Sequence, residues 1–136
     1  MAKTIERPPL PSDAQLEVLN IIWDRGEATV GELWQAFSAQ RPVARNTVLT
    51  LVTRLEEKGW LRRHEKGNVL RYSAVVPKQT ALRQIARRLV DTAFGGSAEG
   101  LIMTLLGGGD LSEGEAERIR AMLEKVRGEK KGRSKS

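Results

Sequence analysis

The chain alternates amphipathic segments with short polar breaks, and the period of each segment predicts its element. From Ala44 to Gly59, ARNTVLTLVTRLEEKG, the residues Val48, Leu51, Val52 and Leu55 recur at i, i+3, i+4 and i+7, one apolar stripe of a helix. Two segments with capping-box spacing precede it, Ser12 with Gln15 and Thr29 with Glu32. The first opens a helix over Ser12 to Arg25 that turns Leu16, Leu19, Ile22 and Trp23 inward and stops at Gly26. The second opens a helix to about Ala39 bearing Val30, Leu33, Trp34 and Phe37. Pro42 forbids its continuation, so residues 40–43 form a turn into the central helix.

After Gly59 the period falls from about 3.6 to 2. Trp60 to Glu65 and Val69 to Val75 read as strands joined through Lys66, Gly67 and Asn68, and Glu27 to Thr29 as a short extended piece. A second part begins at Pro77. Ala81, Leu82, Ile85, Ala86, Leu89, Ala93 and Phe94 line a long helix ending at Gly95 and Gly96. Ser97 opens a short apolar helix, Leu101 to Leu106, which Gly107 to Gly109 break. Ser112 with Glu115 opens a last helix that carries Ile119, Leu123 and Val126 to about Arg127.

The expected fold is therefore mainly α with a small β wing. A flexible arm (1–11) leads into a winged helix-turn-helix (12–76), a three-helix segment (77–127) and a basic disordered tail (128–136). The three-helix segment would expose much apolar surface if left alone. It predicts a homodimer through Leu82, Ile85, Leu89, Phe94, Leu101, Ile102, Leu105, Ile119 and Leu123, and the glycine breaks argue against a long coiled coil.

Composition narrows the chemistry. The absence of cysteine among 136 residues excludes disulfides, thiolate catalysis and zinc-cysteine sites. The single histidine, His64, falls in a strand beside basic residues and supports neither an imidazole-rich metal site nor acid-base catalysis. Neither an enzyme nor a cofactor is expected. The start, MAKTIERPPLP, lacks the apolar run of a signal peptide and no stretch is long enough to span a bilayer, so a cytoplasmic protein without a membrane partner is expected.

A net charge of +6 favours a polyanionic partner, and its distribution says where. Residues 1–40 hold three basic and six acidic side chains, residues 41–71 eight basic and three acidic. The excess coincides with the polar face of the central helix, Arg45, Asn46, Thr47, Thr50 and Arg54, whose donors and short hydroxyls suit base edges and phosphates. The hairpin adds Arg63, Lys66, Asn68 and Arg71. In a winged helix-turn-helix the third helix enters the major groove of double-stranded DNA and the wing lies along the backbone. Two other readings stand beside this one: a winged-helix protein-interaction module, and a nonspecific nucleic-acid binder that depends on its basic tail.

From Leu10 to about Val126 the chain resembles the penicillinase repressors of the BlaI/MecI family. The resemblance is carried, in order, by LPSDAQLEVLNIIWDRGEATVGEL, NTVLTLVTRLEEKGWLRR, the wing ending in RYSAVVP, and AFGGSAEGLIMTLL. It implies a homodimeric repressor of an inverted-repeat operator with TACA/TGTA-type half-sites, controlling antibiotic-resistance (beta-lactamase) or related genes. The residues matching Arg45, Asn46, Thr47, Thr50 and Arg54 face the DNA in that family. In its antibiotic-responsive members a membrane sensor protease pathway leads to cleavage of an Asn-Phe bond in the dimerisation helix, a position occupied here by Thr104 and Leu105. A second branch senses copper through cysteine pairs, which this chain lacks.

Overall fold

Ser12 and Thr29 both build the reciprocal caps that their spacing predicts. Ser12 Oγ accepts from the Gln15 N–H at 3.2 Å while Gln15 Oε1 accepts from the Ser12 N–H at 2.9 Å. Thr29 and Glu32 repeat the pattern at 3.0 and 2.9 Å. The computed structural model describes residues 9–135, with side chains to residue 129. Among them it shows α1 (Asp13–Arg25), α2 (Val30–Ser38), α3 (Arg45–Glu57), β1 (Leu61–Lys66), β2 (Val69–Ala74), α4 (Lys78–Ala93), α5 (Ala98–Gly107) and α6 (Glu113–Lys135). This is the mainly helical fold with a two-stranded wing that the patterning predicts. No single described helix is long and apolar enough to cross a membrane.

Two compact units divide the chain, Met1–Ile85 and Ala86–Ser136. In the first, Val18, Leu19 and Ile22 of α1, Leu33 of α2, and Val48, Val52 and Leu55 of α3 are fully buried, closed over by Phe37, Trp60, Leu61 and Tyr72. Each such aliphatic side chain contributes about 1.5–3 kcal/mol through its removal from water. The three tryptophans fasten the connections to this core. Trp34 Nε1 donates to the Val43 carbonyl at 2.8 Å, Trp23 Nε1 to Val76 at 3.1 Å, and Trp60 Nε1 to Pro9 at 3.0 Å.

That last bond corrects the expected flexible arm at its inner end. Pro9 is held by Trp60, and the Leu10 carbonyl accepts from Lys58 Nζ at 3.4 Å. Residues 1–8 of the arm lie outside the described residues.

The hairpin register runs from Leu61 opposite Ala74 to Lys66 opposite Val69. Its turn is therefore Gly67 and Asn68 alone, both left-handed at φ +59° and +66°, the pairing a two-residue I′ turn demands. Lys66 is a strand residue rather than part of the turn. The extended piece at Glu27 to Thr29 becomes a third edge: Ala28 exchanges backbone hydrogen bonds with Tyr72 at 3.0 and 2.8 Å.

The unit boundary falls inside α4, later than the break at residue 76 that the sequence suggests. Ala81 is fully buried in the first core and Ile85 packs against it, so the opening turns of α4 complete the winged domain. Ile85, expected in the dimer surface, is thereby occupied within its own domain.

In the second unit the Ser97 hydroxyl caps α5 by accepting from the Gly100 N–H at 2.9 Å, and Gly96 N–H closes α4 onto the Val90 carbonyl at 2.9 Å. Val90 is buried there, whereas Met103, Leu106, Met122, Leu123 and Val126 are about half exposed or more. α6 continues to Lys135, where a disordered tail from residue 128 is expected. With no proline in that stretch, Gly128 and Gly132 each cost only about 1 kcal/mol relative to alanine, too little to stop the helix.

Candidate nucleic-acid interface

The placement of α3 follows from its two unlike faces. Val48, Val52 and Leu55 are fully buried, while Arg45, Asn46, Thr47, Thr50, Thr53 and Arg54 are exposed. All five residues predicted from the helix thus share the solvent side. Thr50 Oγ1 donates back to the Asn46 carbonyl at 3.0 Å, which orients the hydroxyl without burying it. Arg45 leans across Gly31 of α2: a methyl group built there would lie 3.6 Å from Arg45 Nη2, ordinary contact distance.

What holds this face in position is the turn before it. Trp34 grips the Val43 carbonyl, and Arg41 forms a two-pronged pair with Glu17 of α1 at 2.6 and 3.3 Å while its guanidinium covers the Phe37 ring. The Arg41 hydrogen bond holds the Glu17 carboxyl below its usual range. At the far end Lys58 Nζ donates to Gln15 Oε1 at 2.8 Å, and the Trp60 N–H to the Leu55 carbonyl at 2.9 Å. The N-cap of α3 differs from those of α1 and α2. Ala44 supplies no side-chain acceptor to the opening of α3, and its carbonyl instead accepts from the Thr47 and Val48 N–H groups at 3.0 and 3.3 Å.

The wing is less free than its composition suggests. Glu27 lies 3.0 Å from His64 Nε2, 3.6 Å from Lys66 Nζ and 3.6 Å from Arg71 Nε. Arg71 also reaches Glu32 at 3.5 Å, and Arg63 reaches Glu56 at 3.4 Å. The His64 hydrogen bond, followed by the charges of Lys66 and Arg71, lowers the Glu27 carboxyl below its ordinary range. Three of the four predicted wing residues therefore have an acid beside them, and the fourth, Asn68, stands exposed at the tip. Arg62, opposite Ser73, is a further exposed cation that the sequence reading leaves out.

Sequence reasoning also misses Glu27 itself. Nothing local marks it, because the Ala28–Tyr72 bridge is what carries it to the hairpin. It misses two exposed positions on α3, Thr53 and Leu49, although helical spacing puts both beside Asn46 or Thr50.

The predicted dimer residues of the second unit are Leu89 and Leu123, which are exposed, and Phe94, Leu101, Ile102, Leu105 and Ile119, which are half-buried. Leu82 lies at the edge of exposure in the first unit. Thr104 and Leu105 sit inside α5, with Thr104 Oγ1 donating to the Gly100 carbonyl at 2.8 Å.

A family model described as penicillinase repressor matches residues 11–125. The chain is 28% identical over 114 residues to the methicillin resistance regulatory protein MecI of Mammaliicoccus sciuri, covering 84% of this chain and 93% of that one. It is 24% identical over 127 residues to the penicillinase repressor of Bacillus licheniformis, covering 93% and 99%. Its fold is like that of wild-type MarR from E. coli, at a TM-score of 0.52 with 21% identity over 85% of this chain and 77% of that one.

Proposed function

The chain belongs to the penicillinase repressor family, and from that premise we propose that it represses transcription as a homodimer bound to an inverted-repeat operator. The family consists of DNA-binding transcriptional repressors, not enzymes. The observation that carries the finer reading is the division of α3: three fully buried aliphatic residues fix the helix, and Arg45, Asn46, Thr47, Thr50 and Arg54 project from its other side. In this reading α3 enters the major groove, where Asn46 suits adenine and the arginines suit guanine or phosphate. The hairpin, with Arg63, Lys66, Asn68 and Arg71, lies along the sugar-phosphate backbone.

The dimer is supported by the apolar surface that the second unit leaves in water, notably Met122, Leu123 and Val126 along α6. Two joined readers, each on its own half-site, raise affinity by effective concentration. Repression then needs only occupancy of promoter DNA. The names of the relatives favour β-lactam resistance genes as targets. Induction by a sensor protease pathway through the Thr104–Leu105 bond would first have to unwind α5, which contains that bond.

Fluorescence anisotropy tests the reading with three duplexes: an inverted TACA/TGTA repeat, a single half-site and a scrambled sequence, each at two salt concentrations. A preference of about a thousandfold for the repeat over the scramble that survives the higher salt is expected. Equal, salt-labile binding to all three would overturn it.

A further inference from the structure

One large apolar side chain stands on the outward side of α3. Leu49 is 43% exposed, whereas Val48 and Val52 on either side of it are fully buried. It contributes little to the core, yet helical spacing sets it beside Arg45 (i−4), Asn46 (i−3) and Thr53 (i+4), all exposed. A leucine left in water among hydrogen-bonding neighbours gains stability only when a partner covers it. The partner that the operator-binding reading brings to this face offers one apolar group in its major groove, the 5-methyl of thymine. Asn46 and Leu49 are separated by about 4.5 Å along the helix axis, close to the roughly 3.4 Å rise of one base step. An asparagine suited to the N6 and N7 edge of adenine thus neighbours a side chain suited to thymine within the same or the adjacent pair.

We propose that Leu49 is a specificity-determining residue that reads the 5-methyl group of a thymine in each operator half-site. The proposal rests on the operator-binding reading above. Its chemistry is dispersion and desolvation: the branched end of Leu49 covers the methyl and excludes water from it, while Arg45, Asn46 and Thr53 leave no second apolar surface of comparable size on that side of the helix. At a position that Leu49 covers, removing the methyl should therefore weaken binding even though the hydrogen-bonding edge of the base is unchanged.

The test selects duplexes from a random-sequence library with the full wild-type chain. The selected duplex is then resynthesised with deoxyuridine in place of each thymine in turn, a change that removes the methyl and nothing else. For the wild type, one position per half-site should lose about fourfold in affinity, which is about 0.8 kcal/mol for one buried methyl. Leu49→Ala should bind the thymine duplex more weakly and show no difference between thymine and uracil at that position. Because Leu49 lies outside the core, an unchanged thermal melting curve serves as the control for folding. If every uracil duplex binds wild type as tightly as its thymine parent, or if Leu49→Ala keeps the wild-type uracil penalty, the proposal is overturned. Selection that yields no consensus sequence would instead overturn the operator reading on which it stands.

Discussion

Glu27 and His64 are 37 positions apart in the sequence, and their side chains meet at 3.0 Å between Oε1 and Nε2. The Ala28–Tyr72 bridge brings them together, and the same carboxylate faces Lys66 and Arg71. If the wing lies along the backbone as proposed, a phosphate there would compete with Glu27 for Lys66 and Arg71. Glu27→Gln should tighten binding to DNA of any sequence, by about three- to tenfold at low salt, and steepen the salt dependence by about one counterion. A titration series in which the salt slope matches wild type would remove Glu27 from this role.

Acid should weaken the fold through two carboxylates. The hydrogen bond from His64 depresses the pKa of Glu27, and that from Arg41 depresses the pKa of Glu17. Groups whose folded pKa is depressed stabilise fully above their unfolded value, about 4.3, and lose that contribution as pH falls through the folded value. Thermal midpoints recorded from pH 7 down to 3 should therefore fall below about pH 4. The fall should be shallower for Glu17→Gln and Glu27→Gln, and identical acid profiles for these variants and wild type would contradict the assignment.

Trp34→Phe keeps an aromatic ring packed against the core but removes the donor to the Val43 carbonyl. That carbonyl ends the turn that aims α3. Leaving it without its partner should cost about 1–3 kcal/mol of stability by chemical denaturation, and operator affinity should fall at temperatures where the variant is still folded. Full affinity in the folded variant would show that the turn does not depend on this bond.

Arg54 and Lys66 should separate sequence reading from charge. Arg54→Ala should weaken operator binding by about 1–3 kcal/mol with a smaller effect on scrambled DNA. Lys66, 70% exposed and 3.6 Å from Glu27, should when changed to alanine weaken all duplexes alike and lower the salt slope by about one. A loss confined to the operator for Lys66→Ala would assign that side chain to base recognition instead.

The elements were legible because their signals are local. Ser12 with Gln15, Thr29 with Glu32 and Ser97 each mark a helix start within a few residues, and the Gly-Asn pair marks the hairpin turn. The face of α3 was legible for the same reason, since a stripe of Val48, Leu51, Val52 and Leu55 turned to the core leaves the polar residues of the helix on its other side. The end of α6 was not, because two glycines without a proline carry no strong stop signal. Leu49 was not legible because apolar character alone suggests burial, and only the packing of the helices leaves it 43% exposed outside the core cluster.

By itself the sequence determined three helices followed by a basic two-stranded wing, because periodicity, caps and turn residues act over single turns of chain. Tertiary structure alone decided which charges are free to meet a partner. The bridge from Ala28 to Tyr72 delivers Glu27 to the wing, Trp34 fixes the aim of α3, and the packing of Ala81 and Ile85 draws the start of α4 into the first domain. Each of these links residues tens of positions apart or sets a side chain's partner, and so depends on how the elements pack and not on any pattern within one of them.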